Sequence, residues 1–293
     1  MIGPTPDSPV LRFAPSPNGA LHLGHALSAL VGFDMAHRLG GRFLVRIEDI
    51  DVARCREDLV AAIFEDLAWL GITWEEPVLR QSQHFDVYAQ AAEWLEGLGL
   101  LYPCFASRSE IQEAAKGGAV DPEGAPLYPG LHKHLPKTEI EERIGNGERY
   151  ALRLDMERAL DVAARRLEGR PLAFTELGED GTPTVVEARP EKWGDAVILR
   201  KEVPASYHLA VVVDDARQGV THVTRGRDLY AATDIHRLLQ VVLGLPEPLY
   251  HHHRLLMDAE GRKLAKTEGD TALASLRAAG LTAAEVRARI GLG

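Results

Sequence analysis

The chain has 293 residues, 45% hydrophobic and 26% charged, with a formal net charge of −10. That suits a globular protein of one large or two modest domains, and no run of apolar residues is long enough to cross a membrane. Two cysteines, Cys55 and Cys104, exclude a disulfide framework and a four-cysteine zinc site. The acidic balance argues against indiscriminate nucleic-acid binding. It leaves room for a local basic lane from Arg54, Arg56, Arg225, Arg227 and Arg237. The first residues lack the basic and apolar regions of a signal peptide, so a cytoplasmic location is expected.

In chain order, Pro9 to Phe13 reads as a short apolar strand. A turn rich in Pro and Gly follows, and then a helix over 26–39 with Leu27, Leu30, Val31, Phe33 and Met35. Strand, turn and helix together form a phosphate-binding device, because a helix start offers unpaired N–H groups and partial positive charge. His22 and His25 sit three apart at that start, and Gly24 between them allows a flat ring close approach to the backbone. Arg42 to Ile47 is a buried strand ending in Glu48-Asp49-Ile50-Asp51, at the edge where open sheets bind ligands. Helices are expected over 54–70 and 85–98.

From about 104 to 190 the pattern changes. Ser107-x-x-Glu110 and Thr138-x-x-Glu141 resemble capping boxes, and strands are expected over 150–154 and 172–175. The sheet is expected to resume at Asp195 to Leu199, with strands over 207–213 and 220–224 and a helix over 229–243. The run Leu249 to Met257, with His251, His252 and His253 alternating on a strand, leads to Lys263-Leu-Ala-Lys266-Thr267. Two lysines three apart on a Gly-bearing loop suit a triphosphate. Thr282-x-x-Glu285 opens a last helix.

His22-Leu-Gly-His25 and Lys263-Leu-Ala-Lys266-Thr267 resemble the signature pair of class I aminoacyl-tRNA synthetases. Arg12-Phe-Ala-Pro-Ser-Pro-Asn-Gly19, Arg46-Ile-Glu-Asp-Ile-Asp51, Ala210 to Asp215 and Val223 to Leu229 are similar to the glutamate-activating branch, in the family's order. The resemblance implies an α/β fold, a Rossmann-like doubly wound parallel sheet with an inserted α+β connective region. Residues 1–103 and 191–245 would be the two halves of the catalytic domain, and 104–190 the insertion. Residues 246–293 would hold the lysine loop and a short helical end, without an anticodon-binding domain. In that respect the chain resembles the short glutamyl-Q tRNA(Asp) synthetases.

The same resemblance implies roles. ATP, accompanied by Mg²⁺, would meet His22, Gly24, His25, Lys263 and Lys266. L-Glutamate would lie on Arg12, Phe13, Ala14, Pro15 and Ser16, with Arg12 and Arg225 as carboxylate forks, Glu48 at the ammonium and Tyr207 lining the pocket. The acceptor would be the anticodon stem-loop of tRNA(Asp) carrying queuosine, and the enzyme a monomer. Asp214, Asp215 and Asp228 either cap turns or touch the ribose, and Arg46 fits plain surface charge. Ala265 stands where the family has Ser. The family's zinc pattern is broken to Cys104, Tyr128 and His132, so structural zinc is not expected. The rival readings are a short glutamyl-tRNA synthetase charging the 3′ end of tRNA(Glu) and a catalytically silent nucleotide- or tRNA-binding paralogue.

Overall fold

The computed structural model describes residues 8–203, 205–257 and 272–293. The first half alternates strands and helices: β1 (Val10–Phe13), α1 (Leu23–Arg38), β2 (Arg42–Ile47), α2 (Glu57–Trp69), β3 (Glu75–Arg80) and α3 (Phe85–Gly97). There follow β4 (Leu101–Cys104), α4 (Arg108–Ala114), α5 (Lys137–Gly145), β5 (Ala151–Leu154), α6 (Met156–Leu167), β6 (Ala173–Leu177), β7 (Pro183–Glu187) and β8 (Val197–Leu199). The last part holds α7 (Tyr207–Arg217), β9 (His222–Gly226), α8 (Ala232–Leu243), β10 (Leu249–His253), α9 (Leu273–Ala278) and α10 (Ala283–Arg289).

Seven strands form the large sheet in the order β3-β2-β1-β9-β10-β6-β7. All neighbours are parallel except β6 and β7. The strand order reverses direction between β1 and β9, and such a switch point leaves a crevice at the carboxyl ends of the two strands. A second sheet, β4-β5-β8, is antiparallel. Strands from the stretch expected to be inserted therefore serve both sheets, β5 the small one and β6 and β7 the edge of the large one. The strand at 197–199, expected in the large sheet, pairs with β5 instead.

Side chains alternate across each strand, and the two faces bury different partners. Leu11, Phe13, Phe43, Val45 and Ile47 pack with α1, α2, α9 and α10. Val10, Leu44, Val223 and Tyr250 form a cluster on the other face, while α3, α6, α7 and α8 pack together in a further core. Arg12 and Arg46 share the alternation phase of Val10 and Leu44. The strand expected over 207–213 is wrong: that stretch is the start of α7. Ser206 caps it, its Oγ accepting from the Leu209 N–H at 3.3 Å. Leu209, Ala210, Val211, Val212 and Val213 are all buried, so burial on every side overrides the β-preference of three valines.

Candidate active site

The crevice at the switch point holds a cavity of about 720 Å³, within the range of small-molecule sites. Its floor is the turn after β1. Pro15 O accepts from Glu48 N at 3.0 Å and Pro17 O from Arg56 N at 3.2 Å, which ties the turn to the ends of β2 and α2. Phe13, Ala14, Pro15 and Ser16 line the cavity from this turn.

One wall is the start of α1. His22 is the N-cap: its Nδ1 accepts from Gly24 N at 3.0 Å, while His25 Nδ1 accepts from His22 N at 3.2 Å. The two rings lie 3.9 Å apart. A Cβ on Gly24 would meet the His22 ring at 2.9 Å, so the ring that lies against this glycine is the protein's own imidazole. His22, Gly24 and His25 all face the cavity, beside a helix start that favours anions.

A second wall is a buried charge cluster. Arg12 donates to Asp215 through Nε at 2.9 Å and Nη2 at 3.3 Å, and to Thr224 O through Nη1. Arg46 donates to Asp215 at 2.7 Å, to Gln218 at 3.0 Å and to Glu48 at 3.0 Å. Burial opposes ionisation of Asp215, yet Arg12 and Arg46 outweigh it and hold the carboxyl below its usual value. Glu48 differs: burial prevails over Arg46 and Arg12 and pushes its carboxyl up. A cation bound beside Glu48 would therefore favour its ionised form.

Arg225, near the end of β9, forms the opposite corner. Its Nε donates to His252 Nε2 at 3.0 Å, Nη1 lies 3.0 Å from His236 Nδ1, and Nη2 donates to Thr233 Oγ1 at 2.6 Å. Tyr207, the first residue of α7, lines the cavity, with its ring 5.5 Å from that of His236. Asp228 also lines the cavity, and a Cβ on Gly226 would press on the Asp228 carboxylate and the Leu255 side chain.

Thus Arg12, the 13–16 turn, His22, Gly24, His25, Glu48, Tyr207 and Arg225 all border one cavity. Lys263 and Lys266 lie outside the described residues. The described chain on either side of them reaches the site: Leu256 lines the cavity, and Ala272 pairs with His22. The reading of Arg46 as surface charge is corrected, because it is fully buried. Asp215 is the carboxylate between two arginines. Asp214 accepts from Gln81 and Tyr88 at 2.9 and 2.7 Å and from Arg217 at 3.2 Å. His236 and Thr233 were missed as site neighbours, as was the contact of His252 with Arg225. Their signal was polar residues on the buried face of α8 and within a buried strand.

Among the described residues no group of three His, Cys, Asp or Glu is arranged to hold a metal ion. Cys104 and Tyr128 are hydrogen-bonded through their side chains, and His132 is engaged by Tyr128 and by neighbouring backbone. His132 N donates to the Tyr128 hydroxyl at 2.8 Å, and His132 Nδ1 faces Phe105 N and Ala106 N at 3.2 Å.

Residues 10–282 match the family described as tRNA synthetases class I (E and Q), catalytic domain. The chain belongs to this family. It is a ligase of the aminoacyl-tRNA synthetase type with the class I Rossmann-like fold. A glutamyl-Q tRNA(Asp) synthetase from Rhodobacter capsulatus is 47% identical over 97% of this chain and 100% of its own length. One from Symbiobacterium thermophilum is 40% identical over 92% of this chain and 81% of its own. A crystal structure of a glutamate tRNA ligase from Elizabethkingia meningosepticum, in complex with its amino acid, superposes with a TM-score of 0.71 at 26% identity. It covers 90% of this synthetase chain, which spans 53% of that ligase.

Proposed function

We propose that this synthetase activates L-glutamate with ATP and transfers it to the queuosine base at the wobble position of tRNA(Asp). The observation that carries the amino-acid half is the cavity at the β1–β9 switch point, lined both by the half-buried Glu48 and by the buried Arg225, which among the described residues has only uncharged side-chain partners. An acidic amino acid carries two carboxylates and one ammonium. Arg225 takes a carboxylate, Glu48 takes the ammonium, and Arg12 with Tyr207 completes the wall.

Activation is attack of a glutamate carboxylate oxygen on the α-phosphorus of ATP, with pyrophosphate leaving. Such a step depends on positioning and on holding phosphate charge. His22, His25 and the N-terminus of α1 meet the phosphates, with Lys263 and Lys266 assigned to them on the family resemblance alone. Mg²⁺ supplies charge neutralisation on the phosphates when bound. The adenylate then passes glutamate to a hydroxyl of the cyclopentenediol of queuosine, releasing AMP.

The end-to-end match to a glutamyl-Q tRNA(Asp) synthetase supports this acceptor over the 3′ end of tRNA(Glu). We further assign the enzyme to the cytoplasm, as a monomer. Charging of queuosine-containing tRNA(Asp), queuosine-lacking tRNA(Asp) and tRNA(Glu) with labelled glutamate tests the reading. Label on queuosine-containing tRNA(Asp) alone is expected. Label on tRNA(Glu) alone overturns it in favour of a short glutamyl-tRNA synthetase. No glutamate-dependent ATP–pyrophosphate exchange by folded protein favours the silent paralogue.

A further inference from the structure

The contacts of Arg225 hold information that a sequence motif does not. Arg225 is 5% exposed, and its Nε, Nη1 and Nη2 all end on uncharged side chains: His252, His236 and Thr233. Among the described residues no carboxylate forms an ion pair with it. A guanidinium donates only and never accepts, so the ring nitrogens that face it must present lone pairs. That fixes both tautomers. His236 carries its proton on Nε2, which faces His208 Nδ1 at 3.1 Å. His252 carries its proton on Nδ1, 2.7 Å from Glu176 Oε2. Neither ring can accept through these atoms once doubly protonated. Burial, then the charge of Arg225, holds His236 well below its ordinary value, and burial also lowers His252. Burial, then Arg225, brings His208 down to about 4.

We propose that His236 and His252 are specificity-positioning residues: they fix the Arg225 guanidinium through uncharged acceptors, so that a carboxylate of the substrate is what meets its charge. The proposal rests on the glutamate reading and deepens it, since it explains why an acidic amino acid is taken in preference to its amide. A carboxylate in place of either ring would fix the guanidinium equally well but would match its charge before substrate arrives. A neutral carboxamide such as that of glutamine then competes on better terms.

The test is an isosteric pair. Asn and Asp can each set an acceptor oxygen near the place of Nδ1 of His236, and at nearly equal size only Asp brings a negative charge. Glutamate-dependent ATP–pyrophosphate exchange is measured for wild type, His236→Asn and His236→Asp, with folding checked by thermal melting. His236→Asn is expected to keep the KM for glutamate within about fivefold of wild type, as the acceptor is retained. His236→Asp is expected to raise it at least about thirtyfold over the Asn variant, the loss of one charge-assisted contact, with kcat and the KM for ATP within about threefold. If His236→Asp does not fold, Thr233→Asp against Thr233→Asn sets the same contrast at Nη2. Equal KM values for the Asp and Asn variants overturn the proposal while leaving the glutamate reading standing. No exchange by wild type overturns the glutamate reading and the proposal with it.

Discussion

Arg12 and Arg225 stand on adjacent strands of one sheet, reach one cavity and are equally buried, at 5% exposure. Their surroundings are opposite. Arg12 shares Asp215 with Arg46, and Arg46 also holds Glu48, so each of these guanidinium groups already has a carboxylate partner. Arg225 is held by two imidazoles and a hydroxyl. A buried arginine is thus a structural clamp or an anion receptor according to what its neighbours carry. The clamp ties β1 and β2 to α7, while the receptor leaves a charge facing the cavity.

The largest effect should come from breaking the clamp. Asp215→Ala leaves two buried guanidinium groups without their shared partner, and chemical denaturation should show a loss of about 3–5 kcal/mol. An unchanged midpoint would mean that Asp215 is not what joins these elements. Arg225→Met removes a charge whose side-chain partners among the described residues are all neutral. It should lower kcat/KM for glutamate by about a hundredfold or more and cost less stability than Asp215→Ala, because the loss of its three hydrogen bonds is offset by removal of a buried charge. Equal losses of stability in both variants would erase the distinction between clamp and receptor.

How far the sequence reached follows the same division. The turn from Arg12 to Ser16 and the pair His22 and His25 were legible because strand, turn and helix follow one another locally. Arg46 was not, since a charge in an apolar strand looks alike whether it points to water or to a partner 169 residues away. Asp215 depends on the phase of α7, which its three valines disguise as a strand. The His236–Arg225–His252 contacts join α8, β9 and β10, and only tertiary pairing brings them together. The place of β6 and β7 beside β10 is a non-local pairing of the same kind.

Acidity sharpens the comparison. His208, behind the receptor, has its value lowered from 6.5 to about 4 by burial and then by Arg225. Below pH 6.5 the unfolded chain binds a proton that the folded chain refuses. Stability from this group is therefore complete above pH 6.5 and is lost as pH falls towards 4. His208→Gln should flatten that acid limb by about 2–3 kcal/mol in denaturant titrations across pH 4 to 7. An unaltered slope would place the sensitivity elsewhere.

Asp66 gives the smallest effect and a control outside the cavity. Burial raises its carboxyl to about 6, with Arg277 at 3.3 Å pulling the other way. Here the folded chain binds the proton more tightly, so stability is fullest at low pH and declines as pH rises through 6. Asp66→Asn should raise stability by about 1–2 kcal/mol at pH 8 and make no difference at pH 4. A loss at pH 8 would show that Arg277 compensates Asp66 as Arg12 and Arg46 compensate Asp215.

A crystal structure with L-glutamate bound puts the account to its most direct test. One carboxylate of the amino acid is expected within about 3 Å of the Arg225 guanidinium, with the ammonium turned to Glu48. Glutamate bound with both carboxylates away from Arg225 would contradict it.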